Sequence, residues 1–301
     1  MKSLLIIGGL GLLGNRLVQK AKGKFDVAFT YRSGEPWHDA KGHQLDITDF
    51  QATNFLIKEL QPDAVINTAA FHVVDGCEKD KNLAKLVNTD AAINLGRACQ
   101  KAGSHYIFVS TDYVFDGSKK EKYSVSDVPN PQSYYGESKL LAESSLLSMD
   151  ADNAVARTSV IYGWNPKKNF ITWLIGELKA GKEVKIVDDQ FSSPTLADNG
   201  ADALLRMVEL EKTGVWHVAG KDCLSRYVLA QKTAKVFGFD ESLIRPIKTS
   251  ELNQLAKRPA NSCLDVGKTE KELGVRMLSC DQGLMLMAKQ EKKLREPWRC
   301  L

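Results

Sequence analysis

Cysteine is scarce in this chain of 301 residues and badly placed for metal work. The six cysteines stand at 77, 99, 223, 263, 280 and 300, the nearest two 17 apart, so there is no CxxC pair and no zinc-ribbon spacing. Free thiols in a reducing, cytoplasmic compartment are the simplest expectation. The five histidines, at 38, 43, 72, 105 and 217, share no ligand spacing, and metal catalysis has no support. Long apolar runs are missing too, which excludes a transmembrane span. The segment closest to a secretory leader, Ser3 to Gly14 after Lys2, is interrupted by glycines and closed by Asn15 and Arg16 without a clear cleavage site. It reads as a first strand. Charge of one sign is not concentrated anywhere: 41 Lys and Arg against 37 Asp and Glu leave +4, scattered along the chain. A nucleic-acid or membrane-surface protein shows more bias. What remains is an ordinary globular composition, 43% hydrophobic and 26% charged, in a chain long enough for one large or two coupled domains.

Short apolar runs recur through the first half, at Leu4 to Ile7, Asp26 to Tyr31, Ala64 to Asn67, Tyr106 to Ser110 and Ala154 to Arg157. Continuous rather than alternating, they suit strands buried on both faces of a parallel sheet. Between them Leu12 to Ala21, Phe50 to Leu60, Leu83 to Ala102 and Ser133 to Leu147 have helical periodicity. The alternation predicts an α/β fold, a doubly wound parallel sheet of Rossmann type. After Gly163 the pattern changes to helices near Phe170 to Ala180, Leu196 to Leu210, Ser225 to Phe237 and Gln282 to Lys293, with strands at Val184 to Val187 and Val215 to Val218. The expected division is a cofactor domain over residues 1–163 plus about 196–220, and a smaller C-terminal substrate-binding lobe over about 164–195 and 221–301. The stretch Asp112 to Gln132 holds some twenty residues without apolar pattern between a strand and a helix. Loops that long are functional or unconstrained, and this one follows the carboxyl end of a central strand, where open α/β sheets bind ligands.

Right after the first strand, Gly8, Gly11 and Gly14 form a GxxGxxG frame. Missing Cβ atoms let the chain turn and approach a pyrophosphate at the N-terminus of the next helix; a plain glycine turn for strand–helix packing is the alternative. The second strand ends in Tyr31, Arg32 and Ser33, without the acidic residue that binds a ribose 2′-hydroxyl. Arg32 there favours a 2′-phosphate and hence NADPH, with NADH the second choice, unless it is a solvated loop arginine. Asp46 could meet the adenine edge, while Asp49 more simply caps a helix. The small residues after Asn67, including Ala69 and Ala70, would let backbone come close to the cofactor. Asp75 and Glu78 are candidate carboxylates that a helix start explains equally well.

Tyr135 and Lys139 lie four apart, on one helical face. A pair of that spacing arises about once by chance in a chain of this composition, so its weight comes from Ser110, Thr111 and Asp112, with Thr111 24 residues before Tyr135. The set supplies a phenol to give a proton, a cation to lower its pKa and a hydroxyl to hold a carbonyl. Bringing a phenol from about 10 to about 7 takes roughly 4 kcal/mol of differential stabilisation.

In Asn67-Thr68-Ala69-Ala70, Val74-Asp75 with Glu78, Ser110 to Gly117, Tyr135 to Lys139, Arg157-Thr158-Ser159, Asp189-Gln190-Phe191 with Ser193-Pro194-Thr195, and Arg258-Pro259 with Asn261-Ser262, the chain resembles the extended short-chain dehydrogenase/reductases. Within them it resembles the dTDP-4-dehydrorhamnose reductase family. The resemblance implies an NADPH-dependent reductase of a nucleotide-linked 4-keto-6-deoxysugar, with Thr111, Tyr135 and Lys139 as catalytic triad. It places Gly11, Leu12, Leu13, Asp46, Ile47, Ala70, Phe71, His72 and Val109 along the cofactor, and Thr111 and Asp112 against the sugar. Val160 stands where bacterial members carry a tryptophan that packs on the deoxysugar, and Trp164 is the candidate to compensate. The family also includes the regulatory β subunit of methionine adenosyltransferase, a non-catalytic NADP-binding partner protein. That subunit is the alternative function, and a nucleotide-sugar epimerase is another; a homodimer is compatible with either reading.

Overall fold

Leu4, Leu5, Ile6 and Ile7 are all buried and alternate between two cores, the mark of a strand covered on both faces. In the computed structural model, which describes residues 1–36 and 40–293, they form β1 (Ser3–Ile7). There follow α1 (Leu12–Ala21), β2 (Asp26–Tyr31), β3 (Lys41–Gln44), α2 (Phe50–Leu60), β4 (Ala64–Asn67), α3 (Val74–Lys79), α4 (Lys81–Lys85), a π turn (Leu86–Asp90), α5 (Ala91–Ala102), β5 (His105–Thr111), α6 (Tyr134–Met149) and β6 (Ala154–Thr158). Then come β7 (Ile161–Tyr162), α7 (Phe170–Lys179), β8 (Val184–Val187), β9 (Phe191–Ser192), β10 (Thr195–Leu196), α8 (Ala197–Glu209), β11 (Gly214–His217), β12 (Leu224–Ser225), α9 (Arg226–Phe237), β13 (Ile244–Ile247), α10 (Gly267–Leu273) and α11 (Cys280–Lys293).

Seven strands make one parallel sheet in the order β11-β6-β5-β4-β1-β2-β3. This is the doubly wound arrangement the alternation predicts. Strand order reverses between β1 and β4, so a crevice opens above their carboxyl ends. Leu4 and Ile6 face a core shared with α1 and α8, while Leu5, Ile7 and Val65 face one shared with α5 and α6. Two further cores, one around Tyr162, Ile171 and Leu229 and one around Leu174, Ile186 and Ala230, lie in the C-terminal elements.

The stretch Leu83 to Ala102 is not one helix: Asp80 caps α4 through Leu83 N at 2.9 Å, and the π turn separates α4 from α5. The thiols are not all free either. Cys223 and Cys263 are joined in a disulfide across a sequence separation of 40, whereas Cys77, Cys99 and Cys280 are free and buried. Spacing hid the pair because the fold, not the sequence, brings the β11–β12 connection beside residues 261–265. His38 and Cys300 lie outside the described residues. Among those described, no helix is long and apolar enough to cross a membrane, and no group of His, Cys, Asp and Glu is placed to hold a metal.

Candidate active site

The glycine frame forms a tight turn at the end of β1. Gly8 has φ 85°, Gly11 N donates to Gly8 O at 2.9 Å, and a Cβ on Gly14 would sit 2.2 Å from that same oxygen. Only glycine fits at 14 without breaking the turn. Gly11 is also the N-cap of α1 and offers no side-chain acceptor, so Leu12 and Leu13 begin a helix whose first amides are uncapped. Across the crevice Asn67 folds back, accepting from Ala69 N at 3.0 Å and donating to the Tyr106 hydroxyl at 2.9 Å. Beyond Ala70, Phe71 is clamped to Asn88, donating N–H to Oδ1 at 2.8 Å and accepting Nδ2 at 3.0 Å; His72 is exposed. Arg32 is exposed at the end of β2, and its charge reaches Asp46. The Asp46 carboxyl is held below the usual range first by Thr48, whose N–H and hydroxyl donate at 2.9 and 2.7 Å. Ile47 is buried beside it, and Asp49 caps α2 through Ala52 N.

Ser133 caps α6, and one turn into that helix Lys139 is 1% exposed. Its Nζ donates to the Val109 carbonyl at 2.8 Å and lies 3.8 Å from the centroid of the Phe108 ring. Burial pulls the ammonium down to about 7, with the Glu143 carboxylate opposing. Tyr135, one turn earlier, faces Thr111, Cys77 and the edge of Tyr113, whose ring centroid is 5.9 Å away. Burial pushes the phenol up, and hydrogen bonding with Thr111 opposes it. The expected lowering by Lys139 is therefore absent in the chain alone, because the ammonium is turned to Val109. The phenol stays protonated, as a proton donor must.

Thr111 ends β5 and Asp112 follows it, and the Asp112 carboxyl does not project into open space. Oδ1 accepts from the Thr111 hydroxyl at 3.1 Å, and Oδ2 from Ser159 at 2.7 Å and Ser262 at 2.5 Å. Burial raises its pKa against these three donors. The long loop is ordered: Asp116 accepts from Ser118 and Tyr123, and Asn261 Nδ2 donates to the carbonyls of Lys119, Lys120 and Glu121. Asp75 and Glu78 do more than start a helix. Asp75 binds Arg258 at 2.8 Å and Ala256 N at 3.0 Å, and Glu78 accepts the first amide of α6, from Tyr134, at 2.6 Å. Val160 has φ 37°, a left-handed conformation costly for a β-branched residue. Trp164 cannot compensate for it, being 5% exposed with its indole N–H donating to the Met287 carbonyl.

The sequence reading missed several contributors. Arg157 forms a buried pair with Glu143 at 2.7 Å, one turn beyond Lys139; Ser159 and Ser262 hold Asp112; and Arg226 faces Asp112 and Tyr113. Arg157, Ser159 and Ser262 stood in motifs already singled out, whereas nothing local marked Arg226.

The family model described as RmlD substrate binding domain matches residues 1–293. A probable low-salt glycan biosynthesis reductase of Haloferax volcanii is 35% identical over 274 residues, 89% of this chain and 91% of that protein. A dTDP-4-dehydrorhamnose reductase of Mycobacterium tuberculosis is 34% identical over 267 residues, 87% and 84%. The solved dTDP-4-dehydrorhamnose reductase of Bacillus anthracis, in complex with NADP, superposes with a TM-score of 0.87 at 26% identity, covering 96% of this chain and 99% of its own.

Proposed function

The chain belongs to the RmlD substrate binding domain family, and on that premise we propose that it is an NADPH-dependent reductase of a nucleotide-linked 4-keto-6-deoxysugar, as a dTDP-4-dehydrorhamnose reductase is. The observation that carries the reading is the meeting of Thr111, Tyr135 and Lys139 at the carboxyl end of β5, on the same edge of the sheet as the glycine turn of β1 and one strand away from it. The residues present fit the cofactor. Glycine at 14 keeps the turn tight against its own backbone, the first α1 amides are uncapped, and among the described residues the buried Ser110 hydroxyl has no partner. Residues 1–163 with about 196–220 would hold the dinucleotide, and the remaining elements the sugar.

When bound, NADPH supplies the hydride. Gly8 to Gly14 and the start of α1 would take the pyrophosphate, with Asp46, Ile47, Ala69 and Ala70 along the adenosine side and Phe71, His72 and Val109 further along the crevice. Lys139 would exchange its Val109 carbonyl for the ribose hydroxyls. Thr111 would hold the substrate carbonyl oxygen, and Tyr135 would give that oxygen its proton as the charge develops. Asp112, fixed by three hydroxyls, holds Thr111 in place rather than reaching the sugar itself. The reading carries a cytoplasmic enzyme supplied with NADPH. Following absorbance at 340 nm with dTDP-4-keto-6-deoxy-L-mannose tests it. Substrate-dependent oxidation of NADPH is expected; none above background, with cofactor shown to be bound, would contradict it and favour a regulatory, cofactor-binding subunit.

A further inference from the structure

Arg226 opens α9, and its placement is set by a chain of hydrogen bonds leading back to the catalytic strand. Its own N–H donates to the Gln190 carbonyl at 3.1 Å, and Ser225 before it pairs with Phe191 in the β9–β12 ladder. Ser262 N donates to the Phe191 carbonyl at 2.9 Å, and the Ser262 hydroxyl donates to Asp112. The Arg226 guanidinium carbon lies 5.3 Å from the centroid of the Phe170 ring, which braces the side chain. From there its charge reaches Asp112 and the Tyr113 hydroxyl, and Tyr113 stands edge-on to Tyr135.

This guanidinium is part-buried, and among the described residues no carboxylate pairs with it. Asp112, the carboxyl it faces, is already engaged by Thr111, Ser159 and Ser262. Arg258 faces the same Tyr113 hydroxyl but is matched by Asp75 at 2.8 Å. One unmatched cation thus stands at Tyr113, one ring removed from the proposed proton donor, on the side of the C-terminal elements. A guanidinium presents a planar fork that matches phosphate oxygens.

We infer that Arg226, braced on Phe170, is the anion-recognising residue of the substrate cleft and takes the diphosphate bridge of a nucleoside-diphosphate sugar. The inference rests on the nucleotide-sugar reading above. It accounts for a cleft in which Val160 offers only a short side chain: binding is anchored on the diphosphate rather than on an aromatic platform under the sugar.

Calorimetric titration of the full chain, saturated with NADPH, tests this with two probes, dTDP and thymidine. The wild type binds dTDP and binds thymidine far more weakly. Arg226→Gln weakens dTDP ten- to a hundredfold, leaves the affinity for NADPH within twofold and does not change thymidine; Arg226→Lys restores part of the loss. NADPH binding by each variant shows that it is folded. An Arg226→Gln protein that binds dTDP as the wild type does overturns the inference and leaves the reductase reading standing. A wild type that binds NADPH but no dTDP overturns the nucleotide-sugar reading, and the inference with it.

Discussion

Lys139 is a charge set deep in the molecule: an ammonium 1% exposed, with one carbonyl and one ring face against it. With its pKa lowered to about 7 by burial, the folded chain binds fewer protons than the unfolded chain between about pH 7 and the ordinary lysine range. Stability therefore rises with pH in that window. Compared with Lys139→Met, the cofactor-free protein should gain roughly 1 to 2 kcal/mol between pH 7 and pH 8.5 in urea titrations, from burial opposed by Glu143. Equal pH slopes for the two proteins would mean that the lysine is charged and solvated. Arg32 is the opposite case, an exposed side chain with a single proposed partner. A charged hydrogen bond to a 2′-phosphate is worth roughly 1.5 to 3 kcal/mol, so Arg32→Ala should reduce the preference for NADPH over NADH ten- to a hundredfold in kcat/KM. An unchanged ratio would leave Arg32 a surface residue. Gly8, Gly14, Tyr135 and Lys139 were legible because their spacing is local: three residues of a turn, one turn of a helix. The hold on Asp112 was not, since Ser159 and Ser262 lie 47 and 150 residues away.

At the scale of elements, α6 is set against the turn after β5 by the absence of one atom. A Cβ on Gly136 would lie 2.2 Å from the Tyr113 carbonyl oxygen, which is backbone and cannot swing aside. Gly136→Ala should therefore push α6 away from Thr111, costing about 1 to 3 kcal/mol of stability in denaturant titration and lowering kcat as Tyr135 moves with the helix. A variant of wild-type stability and turnover would show that the helix is free to shift. The strands of the central sheet could be read from the sequence because burial on both faces makes them continuous apolar runs. β3 could not: Lys41–Gln44 is a polar, largely exposed edge strand paired on one side by β2. Nor could the two-residue strands β7, β9, β10 and β12, which are too short to carry a period.

At the scale of the whole molecule, the C-terminal elements are fastened to the cofactor side by Asp75–Arg258 and by Ser262 on Asp112, and to one another by the Cys223–Cys263 disulfide. Closing a loop of separation 40 is worth about 4 kcal/mol in the chain-entropy account. Dithiothreitol should therefore lower the Tm of the wild type and leave Cys223→Ser, already the less stable protein, unchanged. Equal effects on both would mean that the link contributes nothing. Because Ser262 precedes Cys263, a fastening that loosens there also loosens the support of Thr111.

The central claim is that this arrangement reduces a sugar carbonyl, with Tyr135 as the proton donor. The most direct measurement is single-turnover transfer from NADPH carrying deuterium at the transferable nicotinamide position to dTDP-4-keto-6-deoxy-L-mannose, read by mass spectrometry and NMR of the sugar. The account predicts one deuterium at sugar C4 with the wild type, and transfer at least about a hundredfold slower with Tyr135→Phe, which still binds NADPH. No deuterium in the sugar, or transfer by Tyr135→Phe within threefold of the wild-type rate, would contradict it.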